Sequence, residues 1–571
     1  MPILSSAISR KPNSFDSLRK DPALSLSVVV IWAFLVLFIV FPLLKLLLLT
    51  FEADGHFTLS NIINVLGTTN QVKAFRNSLL LGTLVGVCGT TLGFFFAFTA
   101  VRANLSKGWT RFLDAAIILP LISPPFTTAI AMIFSFGPRG LITYELLGIN
   151  RFNVYGLHST LFAETITFFP IAYLTLKAIL SGIDPNVEDM AYSLGSSRWR
   201  VFKTVTLPLT VPGLANAFLL LFAASLADFA TPLILAGNSF PVLPTEAYLQ
   251  ITGLFDLKGG AVLSFALLVP AFIVFFLQRY WVSRKYYVTV TGKSGAPTQI
   301  KSVNPTVKSW LLISCLFFCA LILYFYVLLF YASIVRAFGA NHTMTWAHYR
   351  VVFTEGLEAI KDTLFIACVG MLAGGFYGVI VGYLVGKKQF LSRRMMEVVS
   401  LISYSLPGTI VGIAYLVTFN DPPVMITGTA LIIIACYVFR YGATGIRTTV
   451  AILQQIDPTI EEASSSLGAG SATTFRRITI PLVLPALFTG LGVVFIRSMT
   501  AISATIFLVS INWTLITVRI LEKMTELELG VAAAFSIIVV VIVFLVTIAV
   551  SLFLKMFRQP GAPQMSNILG G

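Results

Sequence analysis

A chain of 571 residues that is 57% hydrophobic and 11% charged, with a mean hydropathy of +0.89, has the composition of a polytopic membrane protein and of no ordinary soluble class. Its net charge of +15 does not point to nucleic acid. Most of the 39 Lys and Arg residues fall in alternate loops, the asymmetry expected when both termini are cytoplasmic.

The N-terminal residues 1–26 are polar and basic, and the apolar run after them is too long for a signal-peptide core, so it reads as an uncleaved anchor. Apolar runs follow near 27–50, 76–100, 112–136, 158–180, 209–236, 260–283, 309–332, 361–386, 396–419, 425–446, 481–509 and 530–555. Each is long enough to cross a bilayer, which takes about 20 residues. They lack the alternation of barrel strands, so the predicted fold is all-α with twelve spans. The cysteines, Cys88, Cys315, Cys319, Cys368 and Cys436, all lie inside these runs and are read as packing residues, not as a disulfide framework.

Between the fourth and fifth runs stands a polar segment, Asp184-Pro185-Asn186-Val187-Glu188-Asp189-Met190-Ala191-Tyr192-Ser193-Leu194-Gly195, followed by Leu207-Pro208. Between the tenth and eleventh it recurs without a gap, 273 residues later, as Asp457-Pro458-Thr459-Ile460-Glu461-Glu462-Ala463-Ser464-Ser465-Ser466-Leu467-Gly468, followed by Ile480-Pro481. Asp before Pro is the pattern of a helix N-cap with Pro at the first helical position. Gly195 and Gly468 suit the left-handed position beyond the C-cap. Glu188, Asp189, Glu461 and Glu462 stand in the first turn, where the helix dipole favours acids. The segment predicts a helix-turn-helix whose second helix carries Trp199 and Phe202, or Phe475. A single copy reads equally as a surface-lying amphipathic helix; two matched copies on one face favour docking of two copies of one partner.

The duplication reaches further. Asn77-Ser78-Leu79 and Gly93 match Asp362-Thr363-Leu364 and Gly378 at an offset of 285, and Pro124 and Ile130-Ala131 match Pro407 and Ile413-Ala414 at 283. Two six-span halves in the same orientation are a parallel repeat, and pathways in such proteins lie at the repeat interface. The predicted divisions are a tail 1–26, a first domain 27–283, a linker 284–308, a second domain 309–556 and a tail 557–571. Transport is the default reading; with no nucleophile–base pair or metal-ligand cluster in view, a membrane enzyme is the weaker one.

The doubled segment resembles the EAA loop of permease subunits in ATP-binding-cassette (ABC) importers, through Asp189-Met190-Ala191, Gly195 and Leu207-Pro208, and through Glu462-Ala463-Ser464, Gly468 and Ile480-Pro481. Both copies depart mildly from Glu-Ala-Ala. The segments 225–232 (Ser225 to Pro232), Gly237-Asn238 and Leu119-Pro120-Leu121-Ile122-Ser123-Pro124-Pro125 are similar to the ferric-iron branch with two fused permease domains. The resemblance implies the type I importer fold in a bacterial inner membrane. It also implies coupling loops at 184–208 and 457–481, with Glu188, Asp189, Ala191, Gly195, Pro208, Glu461, Glu462, Ala463, Gly468 and Pro481 as the coupling residues. Two copies of a separate ATPase would use ATP and Mg, an extracytoplasmic binding protein would deliver substrate, and the chain itself would bind no cofactor. Related branches carry 2-aminoethylphosphonate, thiamine or polyamines. A twelve-span secondary transporter is the alternative of a different class. Gly292-Lys293-Ser294 ends like a P-loop, but Tyr287 stands where that pattern needs Gly.

Charges at membrane depth are functional candidates by default. Asp228 is placed about 28 Å along the fifth span at 1.5 Å per residue. Its counterpart 273 residues on is Ala501, with Arg497 one turn earlier. Pairing of Asp228 with Arg497 across the pore in a closed state, direct contact of Asp228 with a hard cation, and local hydrogen bonds within each half are the three expectations. Glu164 and Arg440 complete the pathway candidates, with a structural role favoured for both. His56, His158, His342 and His348 are too scattered to form a metal site.

Overall fold

The computed structural model describes residues 22–282 and 303–556, apart from positions 54 and 151. Most of the predicted linker 284–308, the tail 557–571, most of the N-terminal tail and the Gly292-Lys293-Ser294 segment lie outside these residues. The long elements are α1 (Leu24–Phe51), α2 (Thr69–Arg102), α3 (Lys107–Ile122), α4 (Phe126–Phe136), α5 (Leu157–Gly182), α6 (Pro185–Ser193), α7 (Arg198–Ala227), α8 (Ala230–Leu235), α9 (Leu243–Thr252) and α10 (Leu257–Phe276). The second half continues with α11 (Pro305–Ile334), α12 (Leu357–Lys387), α13 (Arg393–Ser405), α14 (Gly408–Phe419), α15 (Ala430–Gln455), α16 (Pro458–Ser466), α17 (Ile480–Thr500), α18 (Ile516–Thr525) and α19 (Leu529–Met556). Two short antiparallel ribbons follow α1 and α11, pairing Glu52–Ala53 with His56–Phe57 and Val335–Ala337 with Asn341–Met344. The chain is otherwise helical among the described residues, with 9 helices long and apolar enough to cross a membrane, or up to 12 if each bent pair is one span.

The bent pairs correct the third and ninth predicted runs, which are not straight helices. α3 and α4 meet at 99°, and α13 and α14 at 106°. The cause is local. A residue before proline is pushed out of the helical region, and Ser123 (φ −91°, ψ 157°) and Leu406 (φ −82°, ψ 145°) both lie there. The fifth and eleventh runs are also shorter than their hydropathy. α7 stops at Ala227 and α17 at Thr500, and the next residues, Asp228 and Ala501, both take extended backbone.

Matched residues of the two halves do matched work. An added Cβ on Gly93 would meet Ala172 Cβ at 2.6 Å, and one on Gly378 would meet Gly445 Cα at 2.8 Å. These glycines let α2 pack backbone-to-backbone on α5, and α12 on α15, the small-residue packing that membrane helices use. The Ser78 hydroxyl accepts from Leu243 N at 2.8 Å, capping α9, and Thr363 Oγ1 accepts from Ile516 N at 2.9 Å, capping α18.

The first helix of each half leans on the other half. α1 donates from Trp32 Nε1 to Ser392 Oγ at 2.9 Å, and its Phe38 carbonyl accepts from Tyr415 of α14 at 2.7 Å. Reciprocally, Tyr326 of α11 shares a 2.6 Å hydrogen bond with Ser123 at the α3–α4 break. The first and seventh helices thus clasp the broken elements across the centre. The five cysteines are free; Cys315 and Cys319 are buried against this packing.

Candidate functional site

The repeated polar segments fold as their sequences require. Asp184 Oδ1 accepts from Asn186 N at 2.9 Å and Asp457 Oδ1 from Thr459 N at 3.0 Å, each capping a helix that starts on proline. That bond holds the exposed Asp457 carboxyl below its ordinary pKa. Gly195 (φ +79°) and Gly468 (φ +78°) take the left-handed turn. Around them, Ser196 N donates to Ala191 O and Ala469 N to Ser464 O, both at 3.1 Å, closing a Schellman turn in each copy.

The second short helix is not separate in the first copy, where Arg198 to Ala227 run as one helix through a π-turn at Phe202–Thr206. Pro208 offers no N–H and crowds the carbonyl of Thr204, so the helix widens there. A second π-turn, Phe475–Thr479, stands before Pro481, and that helix bends by 49° between Leu484 and Ala486.

Glu188 points inward. Its carboxylate is buried, 2.9 Å from Arg102 Nη2 at the end of α2, and accepts from Thr206 Oγ1 at 2.7 Å. It braces α6 to the membrane body and presents nothing to a docked partner. In the second copy, among the described side chains, a neutral bond from Ser464 Oγ to Thr474 Oγ1 at 2.8 Å is buried between the two short helices. The side chains of Glu461 and Phe475 lie outside the described residues; Glu462 and Ala463 are exposed, and Asp189 and Ala191 half-buried. The surface that faces away from the bundle carries apolar side chains among polar ones: Leu194 and Leu467, the residues before the two glycines, are 86% and 88% exposed, and Met190 and Trp199 are exposed in the first copy.

Between the halves lies a cavity of about 260 Å³ that opens to solvent. It begins beside the α3–α4 and α13–α14 breaks and is walled by α7, α10, α15 and α17. Asp228 and Ala501, the matched helix ends, both line it. Arg440 and Arg447 from α15 and Arg497 from the last turn of α17 project into it with Tyr404 and Tyr441. On the side away from α6 and α16, Phe229, Tyr248 and Phe507 form an aromatic layer across both halves, with ring centroids 4.8 and 6.0 Å apart.

Three of the four pathway candidates, Asp228, Arg440 and Arg497, therefore line one cavity. Asp228 is not inside a helix; its Oδ1 caps the break after α7 by accepting from Ala230 N at 3.0 Å. No ion pair joins it to Arg497 in this structure. Glu164 is fully buried on α5 behind the wall, accepting from the Ser225 hydroxyl within electrostatic reach of Asp228. The sequence reading misses Arg447, which it counts with a cytoplasmic loop; its place seven residues after Arg440, two turns along one helix face, was the available signal. It also misses Arg102, Leu194 and Leu467. His158, His342 and His348 bond to separate local partners, and no group of three or more His, Cys, Asp or Glu able to hold a metal occurs among the described residues.

Comparison with known proteins places this arrangement. The family model for the binding-protein-dependent transport system inner membrane component matches residues 89–287 and again 378–559. The ferric transport system permease protein FbpB of Actinobacillus pleuropneumoniae is 32% identical over 515 residues, covering 88% of this chain and 74% of that protein. The putative ferric transport system permease protein FbpB 1 of Haemophilus influenzae is 32% identical over 507 residues, covering 86% and 79%. A bacterial alginate ABC transporter, solved in complex with an alginate pentasaccharide-bound periplasmic protein, aligns with 46% of this chain and 96% of that chain at 16% identity and a TM-score of 0.41. With its family region present twice, this chain belongs to the inner-membrane permease components of binding-protein-dependent ABC transport systems.

Proposed function

We propose that the chain is the fused permease of an ATP-driven ferric-iron importer of the bacterial inner membrane. Twelve spans form two parallel six-helix repeats of the type I importer fold, divided near 27–283 and 309–556, with both termini cytoplasmic. Two copies of a separate ABC ATPase dock on α6 and α16, and ATP and Mg are used there; the chain holds no cofactor of its own. A solute-binding protein delivers substrate on the opposite face. Closure of the ATPase dimer pulls both coupling helices, the rotation passes into α7 and α17, and the cavity between them turns outward. The substrate assignment follows the two ferric transport permeases described above.

The observation that carries the mechanism is the matched pair of coupling helices, each followed directly by a helix that walls the cavity. Leu194 and Leu467 supply the test, because their exposure leaves the permease's own packing indifferent to them. The double variant Leu194→Glu/Leu467→Glu should insert and melt normally but lose co-purification with the ATPase. Retained association would contradict docking at these helices, and gradient-driven uptake without the ATPase would establish a secondary transporter instead.

A further inference from the structure

The cavity wall carries Arg440, Arg447 and Arg497 against a single lining carboxylate, Asp228. None of the three guanidiniums makes an ion pair or hydrogen bond with another described residue. Arg440 stands over the ring of Tyr441 (5.8 Å from Cζ to the centroid) and Arg447 over that of Tyr404 (5.6 Å), and Nη1 of Arg440 is buried without a hydrogen-bond partner. Tyr404 lies within electrostatic reach of all three, so the arginines converge on one region. Arg440 and Arg447 stand about 10 Å apart along α15 at 1.5 Å per residue. Unpaired arginines at membrane depth are costly and are retained where they meet a ligand.

This set repels a bare trivalent cation and fits anionic oxygen, which guanidinium forks bind in pairs of charge-assisted hydrogen bonds. The space is also far larger than a naked ion requires. We propose that the cavity is an anion site, and that ferric iron passes through it as an anionic complex held by its carboxylate or phosphate oxygens on Arg440, Arg447 and Arg497. The second clause rests on the import reading above; the first does not. Asp228 Oδ1 accepts from Ala230 N at the start of α8 and its Oδ2 has no hydrogen-bond partner, but one carboxylate against three guanidiniums still leaves the positive charge in excess.

The test uses the full chain with its ATPase in lipid nanodiscs, without iron, dialysed against radiolabelled citrate and, separately, phosphate. The expected result is saturable binding of one equivalent of at least one anion. The triple variant R440Q/R447Q/R497Q should weaken it about a hundredfold, the loss of several charge-assisted bonds. Lysine at the same three positions keeps the charge and should restore most of it, and Gln at the exposed Lys73, Arg350 and Arg394 should change nothing. Absence of saturable binding for both anions, or binding indifferent to the triple Gln variant while that variant still assembles with the ATPase, overturns the anion site. In proteoliposomes with the binding protein, co-accumulation of labelled iron with labelled citrate or phosphate at a fixed ratio supports the complex and says which ligand travels. Iron entering with neither label overturns passage as a complex and leaves iron import standing. Anion binding with no iron uptake retires the iron assignment and leaves the site.

Discussion

At the scale of single residues, Glu188 changes meaning between sequence and structure. As the acid in a first helical turn it reads as a docking residue; in the fold it is the inward half of an ion pair with Arg102, held also by Thr206. Removing one partner of a buried pair costs about 3–5 kcal/mol. Glu188→Ala should lower the melting temperature and raise the ATP hydrolysed per ion transported, because α6 would move without carrying the bundle. The double variant Arg102→Met/Glu188→Met should recover most of the stability; an additive loss would contradict the brace. Asp457 behaves differently, since its cap depends on a carboxyl whose folded pKa is lowered by the Thr459 N–H. The cap is complete above the unfolded aspartate value of about 3.9 and fades only as pH falls through the lower folded value. ATPase association should therefore be flat from about pH 8 to pH 5 as far as this cap is concerned, and Asp457→Asn should preserve it.

At the scale of elements, much was legible and the exceptions have one cause. Capping aspartates, prolines at the helix start and left-handed glycines depend on neighbours within a few residues, so α6 and α16 could be read directly. The matched pairs Ser78/Thr363 and Gly93/Gly378 were visible as letters, but their work depends on partners far along the chain, at Leu243, Ile516, Ala172 and Gly445. Hydropathy counts apolar residues without registering the backbone turn at Ser123 or Leu406, and so joined broken helices into straight spans. Arg447 was hidden for a related reason: a helix that runs past the apolar stretch to Gln455 keeps a charge on its cavity face. The close glycine contacts give a direct prediction. Gly93→Leu or Gly378→Leu should each force a helix pair apart, at about 1–3 kcal/mol or more for overpacking, and broaden the protein's size-exclusion profile to similar degrees. A large effect at one site alone would contradict equivalent packing in the two halves.

At the scale of the whole molecule, the crossing of α1 and α11 ties each half to the other's broken helix, so the halves can move relative to each other without parting. The cavity lies between the tied halves, and the Phe229–Tyr248–Phe507 layer stands on the side away from α6 and α16. If that layer is the seal, Tyr248→Ala should raise binding-protein-independent ATP hydrolysis several-fold and admit small solutes to proteoliposomes; unchanged basal hydrolysis and tightness would place the seal elsewhere. The two halves are not equal, since the positive wall comes wholly from α15 and α17 and the acidic residue from the first half.

ATP-driven import through this cavity can be read as accumulation of labelled ferric iron in proteoliposomes containing the chain, an ABC ATPase and a binding protein. Accumulation should require all three components and hydrolysable ATP, and should collapse in Leu194→Glu/Leu467→Glu. Accumulation that persists without ATP, or without the ATPase, would contradict ATP-driven import.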